Sequence, residues 1–287
     1  MAYSFTSPAV LTDSRSAIPT ALLNELMEVI ERRTMMQFGA ERRDLLLTTL
    51  STLAAAAGDR DRVSFIRRIL SPSGEAEMMG LIDALTINET TFFRNVPQLN
   101  LFARVALAEV MEHKRTAGEP KQLRIWSAGC SSGQEAYTLA MLAHEAIAHQ
   151  PSWGLQIMAT DISPTVLEVA RRGIYPKARL DTMPAPMRMR YFDEIDNQIR
   201  VKDTLRHLVT FRHHNLRDPF PPGTFDVIFC RNVMIYFSRE EQSRLAIRFK
   251  ERLAPKGFLF IGHSESLQGL GVGLQLRLHD GGVAYQK

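Results

Sequence analysis

Polar residues that can bind a ligand stand at the ends of three short apolar segments. They are Gly129 and Gly133 after "QLRIWSAG" (122–129), Asp161 at the end of "LQIMATD" (155–161), and Arg231 with Asn232 after "FDVIFC" (225–230). Glycine lets a backbone approach a ligand closely, and a carboxylate can accept hydrogen bonds from both hydroxyls of a ribose. The three segments together predict a site for a nucleoside-bearing cofactor, although each feature alone is equally compatible with a structural role.

The elements that must position these residues follow a strand–helix alternation. Helical periodicity occupies 134–148, 164–172 and 239–252, and a fourth apolar run, "FLFIGH", covers 258–263. This alternation predicts parallel strands joined by helices, whose carboxyl ends share one edge of a sheet. The last segment, "LQLRLHDGGVAYQK", has a turn signal between two alternating stretches and predicts an antiparallel hairpin. We therefore expect an α/β fold, a mostly parallel Rossmann-like sheet with an antiparallel edge.

The type of cofactor follows from the loop after the first strand. The dinucleotide pattern G-x-G-x-x-G and the phosphate-binding G-x-x-x-x-G-K-[ST] are both absent, and the spacing is G-x-x-x-G. Glu135 lies beside this loop, where a carboxylate would repel a phosphate and attract an ammonium group. These features favour S-adenosylmethionine, which carries an α-ammonium, a sulfonium and a ribose but no phosphate.

The chain divides into regions of different pattern. We expect a disordered leader over 1–18 and an all-helical N-terminal domain over 19–87, whose first helix ends at a cap on Gly39. A linker and connecting helix over 88–121 precede the α/β domain of 122–287. The segment of about 176–215 fits the strand–helix alternation poorly, and we interpret it as an inserted antiparallel β lobe.

Bulk composition excludes several classes of protein. The 287 residues are 45% hydrophobic and 23% charged, which is typical of a folded soluble protein. No membrane span or signal peptide is evident, and the two cysteines have no metal-type spacing, so we expect no metal and a cytoplasmic location. Residues 1–95 carry a net charge of −2 and residues 96–287 a net charge of +6, without a long basic run. We therefore expect no nucleic-acid partner.

Six motifs, in order and at similar spacing, resemble the CheR family of chemotaxis-receptor methyltransferases. They are "NETTFFR" (88–94), "WSAGCSSGQEAY" (126–137), "ATDIS" (159–163), "ARRGIY" (170–175), "FDVIFCRNVMIYF" (225–237) and "LAPKGFLFIGHSE" (253–265). The resemblance covers roughly residues 20–287. It implies a small all-α domain, a class I S-adenosylmethionine-dependent methyltransferase domain and an inserted antiparallel subdomain. The implied activity is transfer of a methyl group to receptor glutamate side chains, with S-adenosylhomocysteine as the product.

The resemblance also implies roles for individual residues. Arg94 and Tyr236 would lie closest to the transferred methyl group. Cofactor contacts would come from Asn88, Thr90, Arg94, Gly129, Glu135, Asp161, Asn215, Leu216, Arg231 and Asn232. Among these, Glu135 would hold the methionyl amine and Asp161 the ribose. Asn215 and Leu216 would flank the adenine.

The partners implied are the cytoplasmic methylation helices of chemotaxis receptors. The chain departs from the family in two places that bear on receptor binding. The helix "LLLTTLSTLAAAAG" is nearly uncharged after Arg43, whereas relatives carry several arginines there. The connection "DEIDN" in the inserted lobe is short and acidic, so we expect no binding of a receptor tail peptide. Two alternatives stay open: a methyltransferase of another substrate class, and a cofactor-binding regulatory protein without turnover.

Three features of the sequence could indicate other chemistry. His263, Ser264 and Glu265 resemble part of a hydrolase triad, but no G-x-S-x-G motif accompanies them, and we interpret them as a strand end that lines the pocket. His213 and His214 are adjacent and have no third metal ligand nearby in the sequence. Cys130 in the glycine loop is interpreted as a small packing residue.

Overall fold

The structure is a computed structural model that describes residues 18–59, 61–86, 88–180, 183 and 185–287. The leader predicted over 1–18 therefore lies almost entirely outside the described residues. The described chain divides into two compact units. One holds the residues up to Glu31 together with Phe38–Leu85, and the other holds Arg32–Gln37 together with Thr86–Lys287.

The first unit is built from helices, as predicted. Its helices are α1 (Thr20–Thr34, whose last residues belong to the second unit), α2 (Ala40–Ala56), α3 (Arg62–Leu70) and α4 (Glu75–Leu85). The periodic apolar residues form its interior, and Leu26, Leu46 and Leu50 are fully buried. At the start of α3 the Asp61 carboxylate accepts hydrogen bonds from the first backbone N–H groups, a standard N-terminal cap.

The predicted end of the first helix was wrong. Helix α1 ends at Thr34, and Met35 takes a left-handed conformation with φ 64°. Gly39 precedes α2 as its N-terminal cap, with φ −78°, and does not close α1. After the helix, the Gln37 backbone N–H donates to the Tyr236 carbonyl within the second unit, as described below.

The second unit contains a seven-stranded sheet in the order β6-β2-β1-β7-β8-β10-β9. Its strands are β1 (Gln122–Ala128), β2 (Gly154–Asp161), β6 (Val209–His213), β7 (Phe225–Cys230), β8 (Leu253–Ile261), β9 (Gln275–His279) and β10 (Gly282–Gln286). The first five in sheet order are parallel, and the β9–β10 hairpin pairs antiparallel with β8. The expected mostly parallel sheet with an antiparallel edge is confirmed.

Helices connect the parallel strands of this sheet. They are α7 (Gln134–Ile147), α8 (Pro164–Arg172) and α11 (Arg239–Arg252), which match the predicted helical stretches within one residue. Ahead of β1, α5 (Val96–Leu101) continues through a π-helical turn (Phe102–Ala106) into α6 (Leu107–Thr116). Phe102 in that turn packs edge-on against Phe229 and Phe260 in the core of the sheet.

A small three-stranded antiparallel sheet interrupts the alternation, as the sequence predicted. Its order is β3-β5-β4, with β3 (Ile174–Pro176), β4 (Phe192–Ile195) and β5 (Gln198–Val201), and the short helices α9 (Ala185–Tyr191) and α10 (Asp203–Arg206) accompany it. It differs from the segment of about 176–215 at both ends. It begins at Ile174, and Val209–His213 pairs with β2 as a strand of the large sheet.

No helix in the described ranges is both long enough and apolar enough to cross a membrane.

Candidate functional site

The loop between β1 and α7 lies at the carboxyl edge of the sheet, where the sequence predicted a ligand. The backbone N–H groups of Gly129 and Cys130 both donate to the Thr160 carbonyl, at 2.8 and 2.9 Å. Gly129 has φ 79°, and a Cβ atom there would lie 2.5 Å from Cγ2 of Val233. Glycine is required because two loops touch at this point, and the loop is thereby fixed against the segment that follows β7.

Asp161 ends β2 beside this loop, and its side chain is 7% exposed. Oδ2 accepts a hydrogen bond from the Ser131 backbone N–H at 2.8 Å, and Oδ1 accepts one from that of Ser163 at 3.0 Å. Each carboxylate oxygen can accept more than one hydrogen bond. Asp161 therefore holds the glycine loop at the end of β2.

Glu135 and Arg231 form a buried ion pair, which the sequence did not predict. The Arg231 Nε atom lies 2.7 Å from Oε2 of Glu135, and the two side chains are 4% and 9% exposed. The other Glu135 oxygen accepts a hydrogen bond from the Ser127 hydroxyl at 2.7 Å. Arg231 also donates to the Arg94 carbonyl at 2.7 Å and to Gln98 Oε1 at 3.4 Å. Arg231 thus connects β7 to the first loop and to the linker.

The linker before α5 contacts the glycine loop. The Ser131 hydroxyl donates to the Asn88 carbonyl at 3.0 Å, and the Asn88 amide donates to Thr86. The Arg94 guanidinium donates to the Glu89 carbonyl at 2.8 Å, while Thr90 lies between them with a half-buried side chain. Asn88 is therefore brought to the same edge as Asp161, and the Arg94 carbonyl is joined to Arg231.

Segment Arg32–Gln37 belongs to this unit and contacts two of the predicted residues. The Asn215 amide donates to the Arg33 carbonyl at 2.6 Å, and the Asn215 carbonyl side-chain oxygen accepts from the Arg217 N–H at 3.0 Å. The Gln37 N–H donates to the Tyr236 carbonyl at 2.9 Å. Sequence reasoning missed this segment because its residues carry no turn or strand signal.

Tyr236 and Asn232 lie on the segment that follows β7, at the same edge. Asn232 has φ 59°, and a 3₁₀ turn covers Met234–Tyr236. The Tyr236 ring is half-buried, and Leu216, next to Asn215, is 7% exposed. Five segments that carry predicted residues thus meet at one edge of the sheet.

Other contacts of the site were not found from the sequence. The Tyr175 hydroxyl donates to the Ser132 carbonyl at 2.7 Å, and its ring packs edge-on against Phe92 at 5.2 Å. Gln98 is 2% exposed and donates to the carbonyls of Ile261 and Val283, at 2.8 and 3.0 Å. The family motif that contains Tyr175 offered a signal, whereas Gln98 sits in a helix with nothing to mark it.

The two cysteines near the site are buried, and burial determines the direction of their pKa shifts. Burial raises the pKa of the Cys130 thiol well above its usual range, and the carboxylates of Asp161 and Glu135 raise it further. Cys230 is buried in the same way, and its pKa is also raised well above the usual range. Both thiols stay protonated at neutral pH, which suits packing and not nucleophilic attack. Within the described ranges no group of three His, Cys, Asp or Glu residues is placed to hold a metal ion.

The sheet order and the edge that carries Asp161, Glu135 and the glycine loop define a class I S-adenosylmethionine-dependent methyltransferase. Comparison with known families agrees: residues 88–276 match the model of the CheR methyltransferase, SAM binding domain. The chain belongs to the CheR family.

Relatives named as chemotaxis methyltransferases extend over most of the chain. "Chemotaxis protein methyltransferase" of Borreliella burgdorferi is 35% identical over 251 residues, which cover 86% of this chain and 88% of the relative. "Chemotaxis protein methyltransferase 1" of Pseudomonas aeruginosa is 35% identical over 269 residues, covering 91% and 96%. The Salmonella typhimurium "Chemotaxis protein methyltransferase" is 34% identical over 272 residues, covering 92% and 90%.

Proposed function

We propose that this protein transfers the methyl group of S-adenosylmethionine to glutamate side chains of chemotaxis receptors in the cytoplasm, giving methyl esters and S-adenosylhomocysteine. The observation that carries the proposal is the placement of Asp161 and Glu135 beside the glycine loop, with Tyr236 at the same edge. The names of the relatives supply the substrate class.

The side chains at this edge suit the cofactor. Two buried carboxylates, Asp161 and Glu135, can accept hydrogen bonds from hydroxyl and ammonium groups. The Arg231 guanidinium is already paired with Glu135. A ligand rich in hydrogen-bond donors and free of phosphate therefore fits the site, as S-adenosylmethionine does.

The remaining binding residues would act around that core. Asn88, Thr90 and Arg94 would contact the cofactor from the linker, and Asn215 with Leu216 would flank the adenine. Asn232 would line the pocket from the segment after β7. Arg231 would act through Glu135, because its guanidinium is buried and bound to protein groups.

Methyl transfer requires mainly that the protein position the cofactor and the acceptor carboxylate. S-adenosylmethionine supplies an electrophilic methyl group on a positively charged sulfur. A glutamate side chain with a pKa of about 4.3 is ionised at neutral pH, so no general base is needed. Arg94 would pair with the incoming carboxylate, and the Tyr236 hydroxyl would orient it. Placement of this kind can contribute roughly 7–11 kcal/mol, and exclusion of water favours a reaction that neutralises charge.

We further propose that the receptor is recognised through its methylation helices and not through a tail peptide. The β4–β5 connection is a two-residue turn at Asp196–Asn197, and the paired strands have only four residues each. Strand addition requires an edge of sufficient length and register. Repulsion between the acidic lobe and the carboxylate of a tail peptide is weaker than the sequence indicated. Lys177 lies 2.6 Å from Glu194 and Lys202 lies 3.8 Å from Asp193, so both acidic groups have a cation nearby.

The test is a methylation assay on receptor-containing membranes. Wild-type protein with labelled S-adenosylmethionine should place label on the receptor in a base-labile form, as expected of a methyl ester. Asp161→Ala should lose this label and bind S-adenosylhomocysteine more weakly, by about 1.5–3 kcal/mol for a charged acceptor. Asp193→Ala, on the exposed lobe, is the matched control and should behave as wild type.

Base-stable label would refute the ester. Binding of S-adenosylhomocysteine without transfer to any receptor would instead favour a regulatory protein without turnover. Label on RNA or a small molecule in place of the receptor would favour a methyltransferase of another substrate class.

A further inference from the structure

Glu265 makes contacts that the proposed mechanism does not use. Of the sequence His263-Ser264-Glu265, the first two side chains are exposed and only Glu265 turns inward. Its backbone N–H donates to the Gly262 carbonyl at 2.9 Å, which folds the chain back directly after β8. The side chain then reaches the segment that follows β7.

The Glu265 carboxylate is an acceptor for backbone N–H groups. Oε1 accepts from Ile235 at 2.9 Å, and Oε2 accepts from Asn232 at 3.1 Å and also from Gly262. No Lys, Arg or His within the described ranges lies at ion-pair distance from it. The Glu265 carboxylate thus accepts hydrogen bonds from backbone N–H groups on both sides of the β7–β8 edge and not from a charged side chain.

The segment held by Glu265 is Asn232–Phe237, which carries both Asn232 and Tyr236. Its carbonyl groups are satisfied by other residues: the Gln242 amide donates to Met234 and Phe237, and Gln37 donates to Tyr236. The N–H groups of the segment are therefore divided between Glu265, which accepts from Asn232 and Ile235, and the backbone carbonyls of Val233 and Met234, which accept from Tyr236 and Phe237. This division leaves few alternative arrangements for the segment.

The segment begins with a residue in the left-handed region. Asn232 adopts φ 59°, a conformation that asparagine tolerates better than most residues do. Its N–H is one of those bound by Glu265. Only an acceptor without a proton serves three N–H groups at once, since an amide side chain would turn its NH₂ toward a donor.

We propose that Glu265 is a positioning residue, whose carboxylate holds the Asn232–Phe237 backbone so that Asn232 and Tyr236 face the cofactor and the acceptor carboxylate. The inference rests on the proposed function, because it assigns Glu265 an effect on turnover through Tyr236. Glu265 does not itself touch the reacting atoms.

The first measurement is amide hydrogen exchange, which does not depend on activity. Glu265→Gln should speed exchange in a peptide covering 231–237 by roughly tenfold or more, as loss of hydrogen bonds to a charged acceptor predicts. Glu112→Gln, on the exposed surface of α6, makes the same chemical change and should leave that peptide at its wild-type rate. Tyr236→Phe should also leave exchange unchanged.

The second measurement is the single-turnover rate on receptor. Glu265→Gln should lower it by up to roughly 100-fold, the scale of a small misplacement, with less than about threefold change in KM for receptor. A purely structural role predicts a lower Tm with kcat and KM retained, and that result would overturn the proposal. Unchanged exchange would overturn it as well, even if the rate fell.

Gly262→Ala provides a second route if Glu265→Gln does not fold. A Cβ atom at Gly262 would lie 2.6 Å from the Glu265 Oε2 atom and 2.9 Å from the Asn232 nitrogen. It should displace the carboxylate from the segment without removing its charge, and so give the same faster exchange and slower turnover. Wild-type behaviour in both measurements would contradict the positioning role of Glu265.

Tyr236→Phe separates this inference from the proposed function. If Tyr236→Phe keeps the full single-turnover rate, the orienting role of Tyr236 is wrong, while the exchange result on Glu265 still stands.

Discussion

At the scale of single residues, the main surprise is that a predicted cofactor ligand is engaged with another. Arg231 and Glu135 were both expected to face the ligand, yet they lie 2.7 Å apart and nearly out of contact with water. A residue list derived from a family pattern does not distinguish a side chain that binds the ligand from a second side chain that holds the binding one in position. We propose that Glu135 is the binding group and that Arg231 holds it in position.

Removing Arg231 should therefore destabilise the protein strongly. Arg231→Met leaves the Glu135 carboxylate buried without its cation, which costs about 3–5 kcal/mol. At about 2–4 °C per kcal/mol, the Tm should fall by roughly 6–20 °C. Arg244→Met is the matched control, because Arg244 pairs with Glu240 and Glu241 at the surface, where a pair contributes about 0–1 kcal/mol. Equal Tm values for the two variants would contradict a buried role for Arg231.

Tyr236→Phe should separate catalysis from binding. The ring still packs and its backbone carbonyl still accepts from Gln37, so only the hydroxyl group is lost. Calorimetry should show nearly unchanged affinity for S-adenosylhomocysteine, while the single-turnover rate on receptor falls. Arg94→Ala should reduce both quantities, given its proposed contacts with cofactor and substrate. A full single-turnover rate in Tyr236→Phe would rule out an orienting role for the hydroxyl.

At the scale of elements, one side chain of the small lobe reaches the glycine loop. Tyr175 on β3 binds the Ser132 carbonyl through its hydroxyl and packs against Phe92 of the linker. Phe92 also packs edge-on against Phe192 of β4 at 5.3 Å. The lobe, the linker and the loop are thus joined through buried aromatic rings. Burial raises the pKa of Tyr175, so its hydroxyl stays protonated at neutral pH and can donate this hydrogen bond.

Tyr175→Phe should weaken cofactor binding through the loop. Loss of one buried hydrogen bond should reduce stability by about 0.5–1.5 kcal/mol, and a looser loop should weaken S-adenosylhomocysteine binding several-fold. Tyr285→Phe is the matched control, because its buried hydroxyl accepts from the Leu267 N–H at 3.1 Å, outside the glycine loop. We expect a similar loss of Tm in the control without a change in affinity. Weaker binding in both variants would mean that the effect is not specific to the loop.

The edge of the small lobe should not accept a peptide strand. Titration with pentapeptides that reproduce receptor tails and end in a free carboxylate should give no measurable heat. The strands of the lobe offer four residues at most, which limits the number of main-chain hydrogen bonds to an added strand. The same peptides with an amidated C-terminus show how the terminal carboxylate affects binding. Micromolar binding that is abolished by changes within 193–202 would show that the lobe does capture a tail.

Sequence patterns predicted three helices correctly and failed for one strand and one helix end. Helices α7, α8 and α11 were predicted within one residue because their apolar spacing is regular and their ends carry Gly, Pro or Ser. Strand β6 was assigned to the wrong sheet, since a short, half-polar segment does not reveal its partner. The end of α1 was missed because Met35 takes a left-handed conformation without the glycine that usually marks it.

At the scale of the whole molecule, the sheet edge could be predicted and its internal connections could not. Strand–helix order determines which strand ends meet, so Asp161, the glycine loop and Arg231 were placed together correctly. The ion pair of Glu135, the backbone contacts of Glu265 and the docking of 32–37 depend on side-chain directions and long-range packing. None of these has a local pattern, and each became visible only in three dimensions.

The pH dependence of stability should report on one residue near the site. His214 follows β6, and its ring lies 6.1 Å from both Trp126 and Phe220. Burial lowers its pKa below 6.5. The nearby Arg248 and His213 lower it further, and Asp218 acts in the opposite sense. The folded state thus favours neutral His214, so its contribution to stability is present above about pH 6.5 and is lost as the pH falls through the lower, folded-state pKa.

Replacing this histidine should therefore reduce the acid sensitivity of the protein. Between pH 7.5 and 5, the Tm of wild type should fall more than that of His214→Gln, whose side chain does not titrate. Asp226 and Glu265 have pKa values raised by burial and contribute in the opposite direction, but they are present in both proteins and cancel in the difference. His149→Gln, at an exposed position, should follow the wild-type profile. Parallel Tm profiles for wild type and His214→Gln would show that protonation of His214 does not oppose folding.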